Sequence, residues 1–464
     1  MRLSRATLDR IPAAIPAPRA RAPLATGIVH FGPGAFHRAH QAAFIDRLLD
    51  DDPRWGIAAV SMRSAGTVAA LAEQDGLYTL AIRDREPALR VIGAHTAFLG
   101  PDDAGAVRAL LADPAVSLVT ATVTEKGYCL APDGALDLAH PDIVHALGDP
   151  AAPRALIGWL VAGLAARRAA RIVPFVAMPC DNLADNGRKL HAALTAFARE
   201  RDRDLADWIE GEVRAPSTMV DSITPASDAA LYADVAASLG LEDLATVQRE
   251  VFAQWVVEDL GPLGPDLGAA GVTLTSDVAG FERAKLRILN GAHSTLAYMG
   301  LARGHGSVAA AMGDAELATF VALMIADEIA PMVGPVPDLD LTGYAADVLA
   351  RFRNPAIVHR LDQIAQDGSQ KLPYRLGDTL IAHRRAGHLP PRVIAAYGAW
   401  VAFLKRRIAS GEALVDPMAD RIATLIGASD STETVTRLAR EGIGIPSALA
   451  DDEAALAAIA RAAE

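Results

Sequence analysis

The chain predicts an α/β N-terminal domain built on a parallel sheet, followed by a mostly α-helical C-terminal domain. Three observations carry this. Short apolar, β-branched runs alternate with helical runs through the first half. The first of these runs feeds a glycine turn, GIVHFGPGAFHRAHQ, between Gly27 and Gln41. From about Asp277 onward, helix follows helix.

In order, GIVHFG reads as a buried strand and HQAAFIDRLLD as the helix after it. WGIAAVSM is a second strand and AGTVAALAEQ a second helix. LYTLAIRD and RVIGAHTAFL read as a hairpin or small added sheet. VSLVTATVT, with its β-branched residues, suits a central strand. ALIGWLVAGLAARRAA is a helix and RIVPFVAMP another buried strand. Such alternation implies a parallel sheet with helices on both faces. The later runs are all helical: FERAKLRILNGAHSTLAYMG, AELATFVALMIADEIAPMV, YAADVLARFRN, PRVIAAYGAWVAFLKRRIA and DDEAALAAIARAA, punctuated by Pro and Gly. The expected division is therefore residues 1–277, a dinucleotide-binding Rossmann-like domain, and 278–464, a helical substrate-binding and catalytic domain. The first 25 residues read as either a disordered arm or a covering strand.

The 464 residues are 51% apolar and 22% charged, ordinary for a chain with a large core. The net charge of −12 disfavours a nucleic-acid partner, which calls for a basic footprint. Cys129 and Cys180 lie in no zinc or disulfide spacing. No metal is expected, and a reducing cytoplasm fits. No apolar run reaches the length of a membrane span, and the N-terminus lacks the apolar core of a signal peptide. A small-molecule substrate is the expected partner. The oligomeric state stays open, a monomer included.

In a dinucleotide loop the first glycine permits the turn, the second admits the pyrophosphate, and the third lets helix and strand pack closely. Gly32 and Gly34 suit the first two roles, but His37 stands in the third. That implies a wider helix–strand gap or a different turn; an ordinary strand-to-helix turn reads equally well. The second strand ends VSMRS without the acid that binds ribose hydroxyls. Ser61 suits a ribose and Arg63 a 2′-phosphate, so cofactor preference stays open between NAD and NADP.

The most informative helix carries Glu282, Lys285, Asn290 and His293. At about 100° per residue, with Lys285 at zero, Glu282 falls near ~60°, His293 near ~80° and Asn290 near ~140°. One face then presents a lysine, an amide and an imidazole, a set suited to proton transfer and carbonyl polarisation. The alternative is a surface ion pair, a helix kink at Asn-Gly and a structural histidine. TVTEKGY and MPCDNLADNG place Glu125, Lys126, Tyr128, Asp181, Asn182 and Asn186 at strand ends, where α/β sheets bind ligands. Capping and turn formation explain these as well.

Together these segments resemble the polyol-specific long-chain dehydrogenase family, which includes mannitol 2-dehydrogenases and fructuronate reductases (mannonate oxidoreductases). The matching stretches, in family order, are GPGAFHRAHQ, QDGLYTL, TVTEKGYC, CDNLADNG, STMVDSITP, QWVVED, KLRILNGAHSTLAYMG and DGSQKLP. The resemblance makes the loop a family variant, with Gly32, Gly34, Phe36 and His37 binding the cofactor together with Ser61, Arg63 and Glu125. It implies metal-independent transfer between NAD and a secondary alcohol or ketone of a sugar chain. Its K-x4-N-x2-H motif falls on Lys285, Asn290 and His293. Lys285 is then the general base or acid, Asn290 and Asn182 stabilise the alkoxide, His293 orients the substrate oxygen, and Glu282 forms a proton exit. A free lysine, with pKa about 10.4, needs burial or a nearby cation to act near neutrality. Asp221, Lys371 and Arg375 are the implied substrate-binding residues. DGSQKLPYRL resembles the fructuronate-reductase branch, and a basic side chain suits a uronate carboxylate. The expected substrate is a sugar acid of the D-mannonate/D-fructuronate type, with D-mannitol/D-fructose or another polyol as the alternative. A catalytically inactive NAD-binding protein is the non-enzyme alternative. A hydrolase is disfavoured by the lack of a G-x-S-x-G elbow.

Overall fold

A computed structural model describes residues 1–19, 21–259, 261, 264–427 and 430–464. The chain divides into two compact units, Met1–Val278 and Ala279–Glu464.

The first unit is built on a parallel sheet. Its strands are β1 (Thr26–Phe31), β2 (Gly56–Val60), β5 (His95–Leu99), β6 (Leu118–Ala121) and β7 (Val176–Pro179), in spatial order β5-β2-β1-β6-β7. Counted by appearance in this sheet, the order is third, second, first, fourth, fifth. That is the doubly wound order, whose direction reverses between β1 and β6. Alternation along each strand splits the core. Val29, Phe31, Val60, Val119 and Ala177 pack with the helix Leu156–Ala170 and its neighbours. Ile28, Ile57, Leu118, Val176 and Met178 face the other way.

That second face is also covered by helices: Ala35–Ala39 and Gln41–Ile45, broken at His40, and Gly66–Ala72 through Leu71. Val220, Trp255 and Val257 complete the cover. They come from a three-stranded sheet of β8 (Thr218–Asp221), β10 (Gln254–Glu258) and β11 (Thr273–Thr275), ordered β11-β10-β8. The run RVIGAHTAFL also divides. Its first part, in β4 (Ala88–Ile92), pairs antiparallel with β3 (Tyr78–Arg83), which also pairs with β9 (Val247–Glu250). Its second part is β5, at the edge of the parallel sheet.

The first residues are a cover, not a disordered arm. Leu3, Leu8 and Ile11 are buried with Leu77, Val91, Leu231 and Leu239. Leu3 N–H donates to Glu242 O at 2.8 Å. Arg21 is anchored by Asp46 at 2.6 Å and Asp50 at 2.8 Å.

The regular elements of the second unit, among its described residues, are helices, with one isolated bridge between Ser307 and Arg360. The 20-residue helix Pro391–Ser410 packs on Gly291–Ala302 and on Glu453–Ala462. Three helical stretches are wound as π-turns: Lys285–Asn290, Met324–Ile329 and Pro373–Gly377. The first of them packs against the other two. Among the described residues, no helix is long and apolar enough to cross a membrane.

Candidate active site

The Gly32–Gly34 loop leaves β1 beside the point where strand order reverses. Gly32 has φ +88°, and a Cβ there would lie 2.2 Å from Thr122 O, just past β6. Only glycine lets the two strand ends close up. At Gly34 a Cβ would meet nothing nearer than Gly32 O at 3.9 Å, so space is open where a pyrophosphate approaches the backbone.

His37 resolves the missing third glycine. Its ring stacks on His30 of β1 at a centroid distance of 3.4 Å, and its Nε2 lies 3.1 Å from Nε2 of His95. The helix–strand gap is filled by imidazole. With 1% of its surface exposed, His37 packs in the helix–strand gap. Thr122 Oγ1 donates to Gly32 O at 2.7 Å and lies 2.9 Å from His30 Nε2. Thr120 Oγ1 is 2.7 Å from His30 Nδ1. Burial pushes His30 and His95 down to about 3, and His37 well below its ordinary value. All three rings are neutral.

Phe36 is half-buried and stacks on His40 at 4.9 Å. Ser61 is half-buried just past β2, its N–H bonded to Leu99 O at 2.9 Å. Arg63 is exposed, 3.8 Å from Asp142. Glu125 lines an open cleft of about 320 Å³ with Lys126, Asp133, Leu183 and Lys189.

The strand-end polar residues divide by role. Asp181 Oδ2 and Oδ1 accept the Val123 and Thr124 N–H groups, each at 2.9 Å, and Tyr128 donates to Oδ2 at 2.7 Å. Burial pushes the Asp181 carboxyl up, opposed by those three donors. Asp181 therefore staples the TEKGY loop, where Thr124 has φ +65°. Asn186 accepts from Thr218 N–H at 2.9 Å and returns a bond to Thr218 O at 2.9 Å, tying its helix to β8. Asn182, between these two fixed residues, is exposed. Asp221 is buried at the end of β8, opposite Gln254.

The fold adds a grouping around Cys129 that its sequence spacing does not show. Ligand atoms of Cys129, His140 and Asp142 lie within 4.8 Å of one another. The C-x10-H-x-D spacing matches no zinc signature, so only the fold could reveal it. Burial raises the thiol to about 11, with Asp142 adding to the shift.

In the helical unit, Lys285 opens the π-turn and Asn290 closes it. The i→i+5 winding adds residues per turn, so the ideal-helix angles beyond Lys285 do not hold. Lys285 and His293 are buried, while Glu282 and Asn290 are half-buried. The His293 ring lies against Phe352 at 4.3 Å and edge-on to His359 at 5.5 Å. Burial, reinforced by His359, Arg351 and Arg375, pushes His293 well below its ordinary pKa. Its buried Nε2 has no partner among the described residues. Lys371 contacts Asp367 at 3.2 Å and Gln366 O at 2.9 Å. Arg375 Nη1 donates to Ser294 Oγ at 3.1 Å, which the sequence gave no sign of.

Residues 26–267 match the model of the mannitol dehydrogenase Rossmann domain, and 277–462 that of the mannitol dehydrogenase C-terminal domain. The chain belongs to the mannitol dehydrogenase family. Among relatives of this mannitol dehydrogenase family member is the D-mannonate oxidoreductase of Escherichia coli, 38% identical over 430 residues, covering 88% of each protein. The mannitol 2-dehydrogenase of Cereibacter sphaeroides is 38% identical over 389 residues, 82% of this chain and 81% of that protein. The Pseudomonas fluorescens mannitol 2-dehydrogenase, solved as a ternary complex with NAD and D-mannitol, matches with a TM-score of 0.83 and 34% identity, covering 100% of this chain and 96% of that one. The family member described here is accordingly an oxidoreductase, with a Rossmann-like first unit and a helical second unit.

Proposed function

We propose that this chain is an NAD-dependent, metal-independent oxidoreductase that interconverts a secondary alcohol and a ketone on a sugar acid of the D-mannonate/D-fructuronate type. The observation that carries it is one helix holding a buried lysine, a half-buried amide and a neutral, unpartnered imidazole around a π-turn. π-turns of this kind are frequent at functional sites.

The first unit supports NAD binding through the close-packed turn at Gly32 and the open backbone at Gly34. Phe36, Ser61, Arg63 and Glu125 are the further cofactor-side residues. NAD supplies the two-electron acceptor or donor. In oxidation, Lys285 Nζ takes the alcohol proton; in reduction it returns one to the ketone oxygen. The Asn290 amide, and that of Asn182, donate to the oxygen as negative charge grows on it, without competing for its proton. His293 is neutral, so its Nε2 orients the oxygen through a hydrogen bond and adds no charge. Glu282, half-buried one turn before Lys285, passes the proton to solvent. Asp221, Lys371 and Arg375 hold the rest of the sugar chain.

A second reading, a polyol such as D-mannitol, is favoured by Lys371, whose charge is balanced by Asp367. The solved relative named for NAD and D-mannitol supports it too. The test is NADH oxidation followed at 340 nm, with chelator present, on D-fructuronate and D-fructose in parallel. Preference for D-fructuronate is expected; preference for D-fructose moves the protein to the polyol branch. An NADPH control addresses Arg63.

A further inference from the structure

Several basic side chains of the helical unit are held by carboxylates. Arg287 has Asp378 at 3.6 Å, Arg384 has Asp452 at 2.7 Å, Arg392 has Glu328 at 3.3 Å, and Lys371 has Asp367 at 3.2 Å. Arg375 is different. It sits low in the π-turn Pro373–Gly377, and its polar contacts are neutral hydroxyls, Ser294 at 3.1 Å and Tyr374. Its Nε is buried without a partner. Among the described residues no carboxylate is within ion-pair distance of it, although Asp367, which pairs with Lys371, also acts on its charge. Burial pulls its pKa down, and Tyr374, Tyr298 and Asp367 offset only part of that desolvation.

Arg351 and Arg375 both act on His293 with the sign of positive charge, and His359 lies edge-on to the same ring. Ser294, which Arg375 contacts, is the residue after His293. An uncompensated buried guanidinium is costly unless an anion meets it. The planar fork suits a carboxylate, one oxygen on Nε and the second on an Nη. The ammonium of Lys371, already held by Asp367, lacks that capacity.

We propose that Arg375 is the specificity-determining residue for a sugar-acid carboxylate, which it receives beside His293, while Lys371 serves the neutral part of the chain. This rests on the site proposed above and names the group that selects its substrate class.

D-Fructuronate and D-fructose differ only in a carboxylate against a hydroxymethyl group, so the pair isolates the charge. In Arg375→Gln, kcat/KM on D-fructuronate is expected to fall about 100-fold, mostly through KM. On D-fructose, which offers Arg375 no carboxylate, the loss is expected to be at least about tenfold smaller. Arg375→Lys recovers part of the loss, because it restores charge without the fork. Equal loss on both substrates, or no recovery with Lys, overturns the proposal. Calorimetric titration of the NADH-loaded wild type and both variants with D-mannonate, a dead-end pair because the reduced cofactor cannot accept the hydride, reads the same site without turnover. Binding of D-mannonate that is lost in Arg375→Gln supports the proposal, even if the wild type turns over neither sugar and the proposed activity fails. No binding to the wild type, or equal binding to Arg375→Gln, overturns it.

Discussion

His37 shows how one residue carries a departure from a motif. A glycine there would let helix and strand approach; an imidazole instead fills the space, stacked on His30 and touching His95. Gly32 has no such substitute. With φ +88° and a Cβ position 2.2 Å from Thr122 O, Gly32→Ala strains the turn at the strand ends. Strain of about 1–2 kcal/mol for a left-handed non-glycine is roughly tenfold in affinity. A fluorescence titration should show NADH binding weakened by about that factor or more. Lys285 belongs to this scale too. Lys285→Ala is expected to lower kcat by roughly 10²–10⁴, the worth of a positioned acid–base group. NADH affinity stays nearly unchanged, and parallel loss of binding and turnover would sink the role. The four polar residues of this helix were legible in the sequence as types. Their true spacing was not, because the π-turn depends on what packs around it.

Among the elements, the π-turns show how neighbours set local winding. A Cβ on Gly291 would lie 2.8 Å from Arg375 O, so the turn carrying Arg375 rests directly on the helix carrying Lys285. The turn Met324–Ile329 has its own task. Its Glu328 is buried and accepts Arg392 N–H at 3.0 Å and Val393 N–H at 2.9 Å, the orphan donors at the start of Pro391–Ser410. Glu328→Ala leaves those donors buried and unpaired. The expected loss is about 1–3 kcal/mol of stability, read as a lower denaturation midpoint with unchanged m-value. Sequence periodicity identified these helices well, since their apolar faces repeat. It misplaced β5, because RVIGAHTAFL has no turn signal stronger than Gly93, yet its halves join different sheets.

Across the whole molecule, buried imidazoles set an acid limit. His30 and His95 titrate at about 3 in the fold, against 6.5 for a free imidazole, and His37 is also far down. Below pH 6.5 the unfolded chain takes up protons that the native state refuses. Stability from this source is complete above that pH and is lost as pH falls toward 3, by about 1.4 kcal/mol per pH unit for each ring. His293, also depressed by burial, adds to the effect in the second unit. Calorimetry between pH 8 and pH 5 should show a flat Tm above neutrality and a steep fall below about 6.5. His95→Gln should make that fall shallower; an unchanged slope would remove the imidazole cluster as its cause.

The sequence alone determined the α/β and helical classes, the glycine turn and the Lys285–Asn290–His293 motif. Those are local signals: period, turn chemistry and spacing along one chain. Only the tertiary structure decided that His37 packs, that Asp181 staples the TEKGY loop, and that the first residues cover a core. It alone separated Lys371, ion-paired with Asp367, from Arg375, whose hydrogen bonds are to hydroxyls. Charge balance and burial depend on residues far apart in sequence, and no local pattern encodes which of two nearby basic side chains finds a counter-ion.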